Sequence, residues 1–184
     1  MSAVAVADRG GLAALARTGL LLALACLAAA LEAAPLGLGP DAPPSPDLLF
    51  CLLAYWALRA PEAAPVLLVF GLGLARDLLT DQPVGLGALT LVFAVEALKA
   101  RRGQLARQPF AVEWLWVGVA AAAMALAQWL GVTLSLARPP YLSLLSQQVG
   151  ATLLAYPATA LLLRWVVRVR RQRSEAVRPG GERG

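Results

Sequence analysis

Arg76 and Asp77 stand side by side inside an apolar stretch, with Asp81 four residues beyond the aspartate. An ionisable side chain is costly in hydrocarbon, so each is a functional candidate by default. Adjacent residues on a helix point about 100° apart and do not simply pair with each other. Arg76 and Thr80 share a face, as do Asp77 and Asp81. Three uses of the pair stand open. Arg76 can snorkel to an interface while Asp77 helps to cap a helix in the turn that follows. Asp77 can instead organise a helix–turn–helix hairpin and a polar contact with a partner. A proton or ion site is the third use, and it needs a second carboxylate that the sequence does not clearly place at the same depth.

A second set of polar residues, Gln128, Gln147, Gln148 and Tyr156, falls in the last two apolar runs. Such groups hydrogen-bond between helices or line a cavity. The chain has no histidine, which removes the commonest general base and the commonest zinc ligand. It also lacks a phosphate-cradling glycine loop, a Ser–His pair and a clustered ligand set. No catalytic residue, metal or cofactor is therefore expected. Cys26 and Cys51 lie within apolar stretches and read as small hydrophobes rather than a disulfide or metal pair.

The elements that must position these residues are apolar runs. Of 184 residues, 59% are hydrophobic and 15% charged, against roughly half and a quarter in a soluble domain. At about 20 residues per membrane span, this length holds several spans with short loops and no second domain. The runs are Leu12 to Ala34, Leu48 to Leu58, Ala63 to Leu79, Val84 to Leu98, Phe110 to Ala137 and Leu142 to Val167. They are continuous rather than alternating, which argues for helices over a β-barrel. The expected architecture is all-α and integral to the membrane: one polytopic domain over residues 1–167 with about six transmembrane helices, then a basic tail, 168–184, expected to be disordered. Leu48 to Leu58 is too short to span unless its flanks join it. Ala23-Leu24-Ala25 before Cys26 faintly resembles a cleavage site, yet the run continues to Leu31, so it reads as a retained helix.

Orientation follows from Lys and Arg. With six spans, one side receives Arg9, Arg17, Arg59, Lys99, Arg101, Arg102, Arg107 and the seven arginines from Arg164 onward. The other receives Arg138 and Arg76. Fourteen cations of sixteen on one side place both termini in the cytoplasm of a bacterial inner membrane. The net charge of +5 thus reflects topology rather than nucleic-acid binding, because the cations sit at the ends of apolar runs. Arg168, Arg170, Arg171 and Arg173 are positioned to meet anionic lipid headgroups. Trp114, Trp116 and Trp165 read as an interfacial belt. Glu96, one turn before Lys99, and Glu113, in the first turn of its helix, read as an interfacial ion pair and a favourable helix-dipole charge. Pro157 should kink the last helix.

The turn after Asp77 has its own logic. Gln82 precedes a proline and suits an N-cap, with Pro83 opening the next helix. Gly71, Gly73 and Ala75 before the turn, and Gly85 and Gly87 after it, allow two helices to approach closely. From Gly71 through Asp77, Asp81, Pro83 and Gly85 to Leu89 the chain resembles the signature of the rod shape-determining MreD family: glycine, a short apolar spacer, aspartate, a short turn, then Pro-x-Gly opening another helix. Gln108-Pro109-Phe110-Ala111-Val112-Glu113-Trp114 resembles alphaproteobacterial members. The motif covers about a quarter of the chain, and Arg76 beside the aspartate is not part of it.

The resemblance implies a non-catalytic membrane scaffold in the complex that directs lateral peptidoglycan synthesis and cell shape. It implies MreC, a bitopic membrane protein, as direct partner, with indirect links to MreB and to RodA with its transpeptidase. It also implies a fold similar to the substrate-binding subunits of energy-coupling-factor transporters. The alternative is such a subunit for a vitamin or metal, with Gln128, Gln147 and Tyr156 lining its pocket.

Overall fold

The computed structural model describes residues 18–32, 45–79, 84–135 and 142–167, which include six α-helices. They are α1 (Thr18–Glu32), α2 (Leu48–Arg59), α3 (Val66–Leu79), α4 (Leu86–Leu105), α5 (Phe110–Leu134) and α6 (Leu142–Val167). A single 3-10 turn, Pro61–Ala63, links α2 to α3. Asp81, Pro83, Arg168, Arg170, Arg171 and Arg173 lie outside the described residues.

The shortest run turns out to be the centre of the bundle. Nine consecutive residues of α2, Leu49 to Ala57, are buried. A helix apolar on every side must be covered on every side, and α2 packs on α4 and α6 in a core that also takes Leu21 and Ala25 from α1 and Val117 and Met124 from α5. Around it, α3 packs on α4, α4 on α5 and α5 on α6.

The other five helices carry apolar residues on their outer faces as well. Leu67 on α3 (85%), Phe93 on α4 (73%), Leu134 on α5 (83%) and Leu154 on α6 (75%) are largely exposed, with Leu22 and Leu27 on α1. By length and composition one helix among the described residues, α5, is long and apolar enough to cross a bilayer. The others fall short for separate reasons. The helix α2 has 12 residues and α3 has 14, while α4 carries Lys99, Arg101 and Arg102 in its last two turns.

Three boundaries differ from expectation. The third helix begins at Val66, because Pro61–Ala63 forms the 3-10 turn and Pro65 directly precedes Val66. The fourth begins at Leu86 rather than at Pro83, since Gly85 occupies the N-cap at φ 93°, a left-handed conformation that glycine adopts without a Cβ clash. It also runs on to Leu105, past the expected end at Leu98, because Lys, Arg, Gln, Ala and Leu are all good helix formers.

Candidate functional site

The hairpin between α3 and α4 is built around the Asp77 carboxylate. Its Oδ2 accepts from the backbone N–H groups of Gly85 and Ala88, each at 3.0 Å. Those donors belong to the unpaired first turn of α4, and the N-cap glycine has no side chain to take them. Asp77 therefore caps α4 from the neighbouring helix, and its charge faces the positive end of the helix dipole. The close approach depends on two glycines. A Cβ on Gly87 would overlap Asp77, and a Cβ on Gly73 would stand 2.7 Å from Ala88 Cα. Gly71 behaves differently: it is exposed and has nothing within 4 Å of an added Cβ. Among the described residues, Asp77 Oδ1 is buried without a hydrogen-bond partner, as are Tyr55 OH and Trp56 Nε1.

Arg76 does not snorkel. It is buried, and its Nη1 donates to Asp47 Oδ2 at 2.6 Å. Asp47 is the N-cap of α2, where Oδ1 accepts from Phe50 N at 2.8 Å. Glu32, at the end of α1, accepts from Leu49 N at 2.8 Å, and Thr152 Oγ1 of α6 accepts from Asp47 N at 3.0 Å. Three helices, α1, α3 and α6, thus converge on the start of α2. The second carboxylate that the sequence did not clearly place is Asp47, hidden at the end of a proline-rich segment whose partner lies 29 positions away.

The opposite end of α2 carries a matching cluster. Arg59 Nη1 and Nη2 donate to the two carboxylate oxygens of Glu113 on α5, at 2.8 and 3.3 Å. Tyr156 OH of α6 donates to Glu113 Oε1 at 2.7 Å. The Tyr156 ring stacks on Phe110, and the Arg59 guanidinium lies 4.2 Å from the centre of the Tyr55 ring. Glu113 does lie in the first turn of α5, as expected for a dipole charge, but it is buried there and bonded to α2 and α6. Glu96 does pair with Lys99, at 2.6 Å, and Lys99 also donates to the Ala64 carbonyl.

The residues proposed to line a cavity are divided among separate contacts. Tyr156 is fully buried and bonded to Glu113. Gln128 donates to Thr90 Oγ1 at 3.0 Å, tying α5 to α4. Gln147 is exposed and Gln148 half-buried. Pro157 sits within α6, which continues to Val167. A proline leaves the carbonyl four residues earlier without its helical donor, and that carbonyl, Leu153 O, accepts from Trp114 Nε1 at 2.8 Å. Trp114 is thus a packing residue rather than only part of a belt. Cys51 Sγ donates to the Thr152 carbonyl at 3.6 Å, and both cysteines are free.

Neither a protein-family model, nor a curated protein, nor a solved structure matches the chain. The chemistry on view is that of buried, hydrogen-bonded charge. Carboxylates at helix starts and arginines across them fix the relative positions of α1 to α6, and the residues that do this come from sequence-distant segments.

Proposed function

We propose that the chain is a polytopic inner-membrane protein with six transmembrane helices and cytoplasmic termini, acting as a non-catalytic, MreD-like scaffold of the cell-elongation complex. Membrane embedding is supported by the apolar outer faces of α1 and α3 to α6. Water would not tolerate so much contiguous apolar surface, whereas lipid requires it. Arg76 with Asp47 and Arg59 with Glu113 are paired inside the bundle, as hydrocarbon demands. The orientation rests on the cation bias: setting aside Arg59 and Arg76, which are paired inside the bundle, leaves thirteen cations against Arg138 alone.

The scaffold reading is carried by one observation, the Asp77 carboxylate capping α4 across a glycine-built hairpin. Of the residues that carry the family resemblance, Asp77 makes these bonds and Gly85 takes the left-handed N-cap of α4. A rigid hairpin suits a protein that presents a fixed helix surface to MreC, and through it to MreB, RodA and the transpeptidase. The test is co-purification of MreC in detergent, with cell width measured in parallel, for wild type, Asp77→Ala and Gly85→Leu. Loss of MreC and widened cells are expected in both variants; unchanged binding and width would remove the hairpin from the mechanism.

A further inference from the structure

The end of α4 and the turn after it hold cations that make no ion pair within the bundle. Arg101, Arg102 and Arg107 are exposed, and no acidic residue lies between Glu96 and Glu113. Arg101 is nonetheless held in place: its guanidinium carbon lies 3.9 Å from the centre of the Trp116 ring. Among the described residues none of these three side chains has a hydrogen-bond or ion-pair partner. An arginine stacked on an indole keeps its N–H edges free in the ring plane, where they fit two oxygens of a phosphate.

The depth of this group suits a lipid headgroup. Trp116 is six residues into α5, about 9 Å from its start at 1.5 Å per residue, so Arg101 lies beside the bundle rather than beyond its end. Phe110 and Leu115, in the first two turns of α5, are exposed apolar residues that acyl chains would cover. Arg164 and Trp165, both exposed, share this end, since α6 continues about 12 Å from Tyr156 to Arg164 past the level at which Tyr156 meets Phe110.

We propose that Arg101, stacked on Trp116 and flanked by Arg102 and Arg107, binds the phosphate of an anionic phospholipid at the cytoplasmic edge of the bundle. The site rests on the membrane reading above but not on the scaffold reading. It would fix α4 and α5 to the leaflet at one point, while Arg102 and Arg107 supply charge at the turn.

The experiment uses the full chain purified in detergent, with native mass spectrometry counting retained phosphatidylglycerol against phosphatidylcholine. Wild type should retain phosphatidylglycerol selectively. Arg101→Gln/Arg102→Gln/Arg107→Gln should lose affinity by about fivefold per arginine, and Trp116→Leu should lose part of it with all three charges intact. Sodium phosphate at millimolar concentration should not displace the lipid; displacement would reassign the site to free phosphate. Equal retention in wild type and the triple variant would overturn the site, as would tighter binding of polyglutamate than of phosphatidylglycerol. Alkaline carbonate extraction of membranes separates the two readings. Release of wild type by carbonate would remove the membrane reading and the site with it, whereas retention with unselective lipid binding would remove the site alone.

Discussion

Gly87→Ala is the sharpest single perturbation of the hairpin. The new Cβ would stand 2.9 Å from Asp77 Cγ and 3.1 Å from Oδ2, and nearer still to Oδ1. The carboxylate must therefore move, and both bonds to Gly85 N and Ala88 N are lost with it. Hydrogen bonds to a charged group contribute about 1.5–3 kcal/mol each, so the loss is about 3–6 kcal/mol. The helix preference of alanine over glycine returns at most about 1 kcal/mol. A net destabilisation of about 2–5 kcal/mol is expected, read from reversible unfolding in mixed micelles. Gly71→Ala, with open space around it, should be neutral or stabilise by up to about 1 kcal/mol. The mechanism is tested by a cycle with Asp77→Ala, which removes the group the methyl displaces. Gly87→Ala should then cost nothing further. An equal cost in both backgrounds would refute the capping argument, and so would no cost in the wild type.

Arg76→Met should destabilise by about 3–5 kcal/mol, because it strands the Asp47 charge in the interior; adding Asp47→Asn should recover much of this in the same unfolding assay. Trp114→Phe leaves Leu153 O without a donor and should cost about 1–3 kcal/mol. Pro157→Ala restores a backbone N–H to that carbonyl, so the double variant should regain most of the loss, and a Trp114→Phe variant unaffected by residue 157 would show that the indole bond is not what matters. Tyr156→Phe removes a buried bond to the Glu113 carboxylate and should cost about 1.5–3 kcal/mol, with the Arg59–Glu113 pair intact and α5 and α6 still packed.

Local signals were legible in the sequence and remote ones were not. The sixth helix spans the run read for it, Leu142 to Val167, and the fifth opens at Phe110 as expected. The hairpin was found through Asp77 and its glycines, yet the start of α4 was placed early. Pro83 is an obvious opener, whereas the capping carboxylate that fixes the true start belongs to the preceding helix. The ion pairs were missed for a related reason. Asp47 is 29 positions from Arg76, and Glu113 is 54 from Arg59. No period or motif connects such residues, and Glu113 had a sufficient local explanation in the helix dipole.

The buried charges follow from the length of α2. Twelve residues extend about 18 Å, well short of a hydrocarbon core of about 30 Å. A helix this short, enclosed by its neighbours, ends inside the bundle, where water cannot serve its free N–H and C=O groups. Glu32 and Asp47 take the N–H groups of Leu49 and Phe50 at one end. Arg59 sits in the last turn at the other, where a cation favours the negative end of the dipole. Asp47 and Arg59 then each need an opposite charge, and Arg76 and Glu113 supply it from α3 and α5. The run that looked too short to be a span is thus the reason the bundle carries the Asp47–Arg76 and Arg59–Glu113 pairs. Lengthening α2 should relax that requirement. Inserting a four-residue apolar turn after Leu53 would carry one end toward an interface and separate Asp47 from Arg76 or Arg59 from Glu113. Loss of folding is expected in the otherwise wild-type chain, and wild-type stability after the insertion would show that the two ion pairs do not set the helix's position.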